Sequence, residues 1–137
     1  MAGGPGYKRS SNHKVELIKS DKLVRVIFNG GVLADSRRTI IVEESGYRPV
    51  YYFPREDARM NYMQRTDHHT YCPFKGEASY YTLTVRDKKE ENAVWTYEEP
   101  YDEVRELKHY IAFYADRVDK IEIMGNDDWN REESKGE

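Results

Sequence analysis

The stretch from residue 22 to residue 36, KLVRVIFNGGVLADS, decides the fold class. Val24, Val26 and Phe28 alternate with Arg25 and Ile27, the period-two pattern of a strand that buries one face. Asn29-Gly30 then supplies the two positive φ angles that a type I′ hairpin turn demands, and a second apolar run follows at once. A hairpin predicts antiparallel β-structure. Further strand patterns occur at RTIIVEE (38–44), RPVYYF (48–53), ASYYTLTV (78–85), NAVWTYE (92–98) and KIEIM (120–124), each rich in β-branched or aromatic residues. The charged run Arg86–Glu91 between two of them reads as a solvated hairpin loop. Two short helices are expected. One starts at Pro54, whose fixed φ suits a first helical position, with Glu56 and Asp57 behind it. The other spans about residues 102 to 110, with Val104, Leu107 and Ile111 on one face. No internal repeat is visible, so the expectation is a mainly β (minor α+β) single domain of antiparallel sheets with two short helices.

The ends differ from this middle. Residues 1–12 are rich in Gly, Ser and Lys, and residues 125–137 are highly charged, so both are expected to be flexible tails around a β domain at 13–124. The chain has 137 residues and a formal charge of −3, without a Lys/Arg-rich run. Nucleic acid is therefore not an expected partner, because displacing counterions from phosphate needs clustered cations. No apolar run approaches the roughly 20 residues of a membrane span, and the N-terminus lacks the apolar core of a signal peptide. A cytoplasmic, intracellular location without membrane association is expected. Mean hydropathy is low at −0.95. Twelve Tyr, four Phe and two Trp nevertheless distinguish the chain from disordered sequences. Tyrosine buries a ring while keeping a hydroxyl for hydrogen bonding, which suits a core edge or the wall of a polar pocket.

Chemistry concentrates in residues 67–76, DHHTYCPFKG, which hold two of the four histidines and the only cysteine. Neighbouring cations can lower a thiol's pKa, which makes Cys72 a candidate nucleophile with His68, oriented by Asp67, as its proton-transfer partner. The competing reading is a small buried hydrophobe. His68 and His69 are adjacent and so face opposite ways in a strand; at most one can share a site with Cys72. Asp67, His68, His69 and Cys72 could supply some zinc ligands, but structural zinc calls for paired Cys/His spacings, which are missing, so zinc is the less favoured alternative and no metal site or cofactor is expected. Lys75 would start a core-facing strand, where an ammonium is costly unless it meets an anion or an acid. It is a candidate both for anion binding and for nucleophilic catalysis. Arg55, at the N-terminus of the first expected helix, is a second candidate anion ligand, the competing reading being a surface salt bridge to Glu56 or Asp57. Trp95 and Tyr97 share one face of their strand and Tyr80 holds an alternating position on the preceding one, which gives either core packing or an aromatic pocket wall.

The blocks VYYFPREDARM, DHHTYCPFKGEASYYTL and NAVWTYEEPYDEV with IAFYADRVD together resemble the DUF427 family of small domains of unknown function. The specific patterns are Thr70-x-Cys72-Pro73-x-Lys75-Gly76-x-Ala78-x-Tyr80 and Asn92-Ala93-x-Trp95-x-Tyr97-Glu98-x-Pro100, and the likeness extends from about Leu23 to Asp119. It implies a β-tent, Mss4-like fold and a pocket at Tyr52, Pro54, Arg55, Asp67, His68, Thr70, Cys72, Lys75, Tyr80, Trp95 and Tyr97. His69 and Tyr71 fall at positions expected to vary. The nucleotidyltransferase label attached to the family is not expected to apply: its chemistry needs metal-holding carboxylates beside a phosphate-binding turn, whereas Asn29-Gly30-Gly31 is better explained as a hairpin and Asn126-Asp127-Asp128 lies in the expected tail. The leading functional expectation is a domain that binds an unidentified small polar or anionic molecule, with charge from Arg55 and Lys75 and an aromatic wall from Tyr52, Tyr80, Trp95 and Tyr97, and with Thr70 in the site. The alternatives are an enzyme using Cys72 or Lys75 with Asp67 and His68, and a module that binds a protein partner.

Overall fold

The computed structural model describes residues 2–9 and 12–124. After a one-turn helix at Gly6–Arg9 (α1) come β1 (Val15–Lys19), β2 (Leu23–Phe28), β3 (Gly31–Ser36), β4 (Ile40–Glu44), β5 (Val50–Pro54), β6 (Met63–Cys72), β7 (Gly76–Val85), β8 (Lys88–Tyr97), β9 (Tyr110–Phe113) and β10 (Lys120–Met124). They form an antiparallel seven-stranded sheet in the order β1-β4-β5-β9-β8-β7-β6 and a three-stranded sheet in the order β10-β2-β3. The mainly β single domain of antiparallel sheets expected from the strand patterns is present, as two sheets. Asn29 (φ 50°) and Gly30 (φ 79°) make the β2–β3 turn in the left-handed region that the hairpin reading required.

The large sheet buries both faces. On β7 the odd positions Tyr81, Leu83 and Val85 join Phe53, Val94, Ile111 and Phe113 against Val24, Val26 and Phe28 of the small sheet. The even positions Ala78 and Tyr80 face the other way, into a second core with Ile40, Val42, Tyr52, Tyr97 and Ala112. That second core is capped by a 3₁₀ segment, Asp102–Leu107, whose Val104 and Leu107 are fully buried. Each fully buried aliphatic or aromatic side chain contributes about 1.5–3 kcal/mol relative to exposure, so two cores stabilise this sheet where a one-faced sheet would have one.

Several elements depart from the expectations. Pro54 ends β5, and only a three-residue 3₁₀ turn, Arg55–Asp57, follows it. The second helix is also 3₁₀ and stops at Leu107, because Tyr110–Phe113 pairs as β9 between β5 and β8. Lys88–Glu91 belongs to β8, which leaves Arg86 and Asp87 alone in the turn. An exposed edge-side strand end tolerates charge, and Lys88 lays its ammonium 5.1 Å from the Phe28 ring centre. β1 and β6 escaped the sequence reading; β6 is exposed at most positions and has no apolar alternation. Residues 2–7, read as tail, pack on the β6–β7 turn and the 102–107 segment. Gly6 N donates to Pro73 O (3.0 Å), Gly4 N to Glu103 Oε1 (2.9 Å) and Tyr7 Oη to Phe74 O (3.1 Å). A Cβ on Gly6 would lie 2.7 Å from the Phe74 ring, so only glycine fits there. The expected tail at 125–137 lies outside the described residues.

Leu83→Ala should lower unfolding stability by about 2–5 kcal/mol in urea titrations, because it opens a cavity between the sheets. Ile18→Ala, at a position 41% exposed on β1, should change it by about 0.5 kcal/mol or less.

Candidate functional site

The face of the large sheet turned away from the small one opens into a cavity of about 400 Å³. One wall begins with an ion pair. Glu44 ends β4 on the same side as Ile40 and Val42, and its Oε1 lies 2.5 Å from Lys75 Nζ. Its Oε2 lies 2.8 Å from His13 Nε2, and the His13 ring stacks on Phe74 at 3.9 Å. The Lys75 and Glu44 side chains are only 10% and 11% exposed. An ammonium this buried costs several kcal/mol if left alone, and Glu44 is the acid that offsets that cost.

Lys75 is aimed by the turn that carries it. Lys75 N donates to Cys72 O (3.3 Å), Tyr101 N donates to Lys75 O (3.1 Å), and Pro73 lies within the turn. Gly76 follows at φ 116°, in a region that disfavours side chains, and a Cβ there would lie 3.2 Å from Glu99 O. The C-P-x-K-G spacing therefore has a geometric cause: a turn tight enough to point one lysine across the sheet at β4.

The remaining walls are aromatic. Trp95 Nε1 donates to Tyr52 Oη (3.0 Å), and their rings meet edge to face at 6.1 Å. Thr70 Oγ1 and Tyr80 Oη share a hydrogen bond of 2.8 Å, and Tyr80 Oη lies 3.4 Å from Tyr114 Oη. Trp95 also packs on Tyr114, with ring centres 4.5 Å apart. Burial pushes the Tyr52 and Tyr97 phenols well above the ordinary value of 10, and it pushes Tyr114, with Tyr80 beside it, up to about 12. These phenols stay protonated, and thus able to donate hydrogen bonds, throughout the neutral range. At the mouth stand Tyr47, 70% exposed, and Arg48, whose guanidinium has no hydrogen-bond or ion-pair partner among the described residues.

The cavity collects Tyr52, Thr70, Cys72, Lys75, Tyr80, Trp95 and Tyr97 from the expected set. Arg55, expected in this cavity, lies elsewhere. It follows β5 on the side of Phe53, its guanidinium sits 5.5 Å from the Tyr81 ring centre, and it lines a separate cavity of about 290 Å³ with Lys108 and His109. Pro54 is buried in the β5–β9 pairing. Asp67 and His68 line a third cavity, of about 630 Å³, and no hydrogen bond joins them among the described residues. His68 reaches only the far side of Tyr80, with rings 4.6 Å apart, so the Asp67–His68 proton pair expected beside Cys72 is not assembled. His69 turns to the opposite face, where its Nδ1 lies 3.5 Å from Ser79 Oγ, as adjacent strand positions require. Glu44, Arg48 and Tyr114 were not anticipated. Glu44 had a signal: in I-I-V-E-E it continues the apolar alternation of Ile40 and Val42, and an acid at a core position needs a cation. Arg48 and Tyr114, in loop positions, had none. Among the described residues, no group of three or more His, Cys, Asp or Glu is placed to hold a metal, and no helix is long and apolar enough to cross a membrane.

Glu44→Gln should destabilise the fold by about 3–5 kcal/mol in urea titrations, because it strands the Lys75 charge. The double variant Glu44→Leu/Lys75→Met should recover most of that loss, which a purely steric role for Glu44 would not allow. The raised phenol pKa values also set a pH dependence. Stability from these groups is complete below the unfolded value of 10 and is lost as pH rises towards 12 and beyond, so the urea midpoint should fall steeply above pH 10.

None of the curated proteins compared with the chain matches it. The sequence profile of the domain of unknown function DUF427 matches residues 16–123, from β1 to β10, and the chain belongs to that family.

Proposed function

We propose that this domain binds a small, flat organic anion in the aromatic cavity. The observation that carries the reading is the convergence of Tyr52, Tyr80, Trp95, Tyr97 and Tyr114 around about 400 Å³, with an unpaired Arg48 at the mouth. The volume falls in the ordinary range for small-molecule sites, roughly 300–1,000 Å³. Ring faces and edges favour a planar body, and phenol hydroxyls held in the neutral form donate to its polar atoms. Lys75 is already neutralised by Glu44, so its contribution is the ammonium protons left over from that pair, while Arg48 supplies the uncompensated positive charge. The anionic preference thus rests on Arg48, with Lys75 in a supporting place and Arg55 outside the site.

Binding without covalent catalysis is favoured because Cys72 lines the cavity and no imidazole does. A thiol there has no general base of the kind that activates a cysteine nucleophile. A protein-interaction role is less favoured because the aromatic groups converge on a concavity and do not spread across a flat patch.

The chain has two tryptophans, Trp95 and Trp129. A Trp129→Phe background therefore makes Trp95 fluorescence a reporter of the cavity. Titration with 4-hydroxybenzoate should give saturable quenching, whereas benzamidine, a cation of similar shape, should not. Arg48→Ala in the same background should weaken 4-hydroxybenzoate binding by about tenfold, the loss of one charge-assisted contact. Equal responses to the two probes, no saturable response to either, or unchanged affinity in Arg48→Ala would overturn the reading.

A further inference from the structure

β7 is flanked by two irregularities that meet on one face. The β6–β7 register runs through Arg65↔Tyr81 and resumes at His69↔Ser79, which leaves three residues, Thr66 to His68, opposite Tyr80 alone. On the other side the register runs through Tyr81↔Val94 and resumes at Leu83↔Glu90, which leaves Glu91 to Ala93 opposite Thr82. Both bulges therefore fall on neighbouring same-face positions of one strand. Bulges re-aim side chains and cluster beside functional sites. The second also holds Asn92 at φ 54°, which costs energy in a residue with a Cβ.

The two bulges are tied together over β7. Thr66 Oγ1 donates to Asn92 Oδ1 (2.7 Å), Asn92 N donates to Thr82 Oγ1 (3.2 Å), and Thr84 Oγ1 donates to Gln64 Oε1 (2.8 Å). These bonds occupy the Asn92 and Gln64 amide oxygens and leave the two amide N–H₂ groups without partners among the described residues. Asp67, extruded in the first bulge, likewise has neither hydrogen bond nor ion pair among them. His68 sets its ring against Tyr80 at the end of the cleft. A cavity of about 630 Å³ thus presents two free donors, one free carboxylate acceptor and a ring.

This array complements a neutral cyclic polyol. Each ring hydroxyl both donates and accepts, so vicinal hydroxyls satisfy a carboxylate and an adjacent amide N–H together, while the C–H face packs on an aromatic ring. An anion is disfavoured, since Asp67 and Glu91 outnumber Lys89, which itself lies 4.0 Å from Glu91. We propose that the bulged cleft is a second binding site, separate from the aromatic cavity, for a monosaccharide-like polyol. The proposal does not depend on what the aromatic cavity binds.

Saturation-transfer difference NMR on the full chain tests it, with methyl β-glucopyranoside, methyl β-galactopyranoside, methyl α-mannopyranoside and myo-inositol as probes. Asp67→Ala removes the acceptor at an exposed position. Asn92→Gly removes the amide while leaving a residue that adopts positive φ without strain. At least one probe should show transfer, and affinity should fall by about fivefold or more in each variant, the loss of one hydrogen-bonding partner. No transfer from any of the four, or undiminished affinity in a variant whose amide spectrum matches the wild type, would overturn the proposal.

Discussion

The structure turns on one buried ion pair between distant parts of a sheet. β4 lies next to one margin of the seven-stranded sheet, and the β6–β7 turn lies at the other. Lys75 and Glu44 join across the intervening strands, and His13 stacked on Phe74 repeats the junction one layer out. Such a pair gains little over a hydrophobic pair of the same size, because desolvation consumes most of the Coulombic attraction. Its consequence is geometric. Neither charge tolerates burial alone, so the sheet must curl until the two meet, and the space enclosed by that curl is the second core and the aromatic cavity.

The curl also accounts for the distribution of tyrosine. The face of the sheet against the small sheet is filled by Leu83, Val94, Ile111 and Phe53, which need no polar partner. The enclosed face carries Tyr52, Tyr80 and Tyr97, whose rings fill volume while their hydroxyls find Trp95, Thr70 and one another. A cavity walled by aliphatic residues would leave the Lys75–Glu44 pair in wholly apolar surroundings. Phenols keep local polarity without adding charge, and burial holds those of Tyr52 and Tyr97 protonated.

This logic separates what the sequence displays from what it hides. The β2–β3 hairpin is legible because alternation and an Asn-Gly turn are local signals, and the convergence of Thr70, Cys72, Tyr80, Trp95 and Tyr97 follows from alternation on adjacent strands. Arg55 was misplaced because its assignment relied on a helix that Pro54 does not start. β6 was hidden because an exposed strand needs no apolar period, and β9 because four residues, Tyr110–Phe113, three of them buried, carry too little pattern to outweigh the apparent helix before them. The Glu44–Lys75 contact spans 31 positions. Its traces are an acid where the alternation of β4 asks for an apolar residue and a lysine at the start of a core-facing strand, and neither names the other as its partner.

The double histidine shows how a small irregularity redirects chemistry. Had β6 continued in regular register from Cys72 and Thr70, the position two residues before Thr70 would have faced the same side as both, adjoining the aromatic cavity. It does face that side, but the added residues opposite Tyr80 widen the spacing and set the His68 ring against Tyr80, with Asp67 pushed outward. Tyr80 lines the aromatic cavity, its hydroxyl bonded to Thr70, and its ring meets that of His68, which lines the polar cleft. Motif adjacency groups Asp67, His68, Cys72 and Lys75, whereas the fold divides the first two and the last two between separate cavities. Side-chain company in a sheet is set by the ladder, and two inserted residues suffice to divide a ten-residue motif between two cavities.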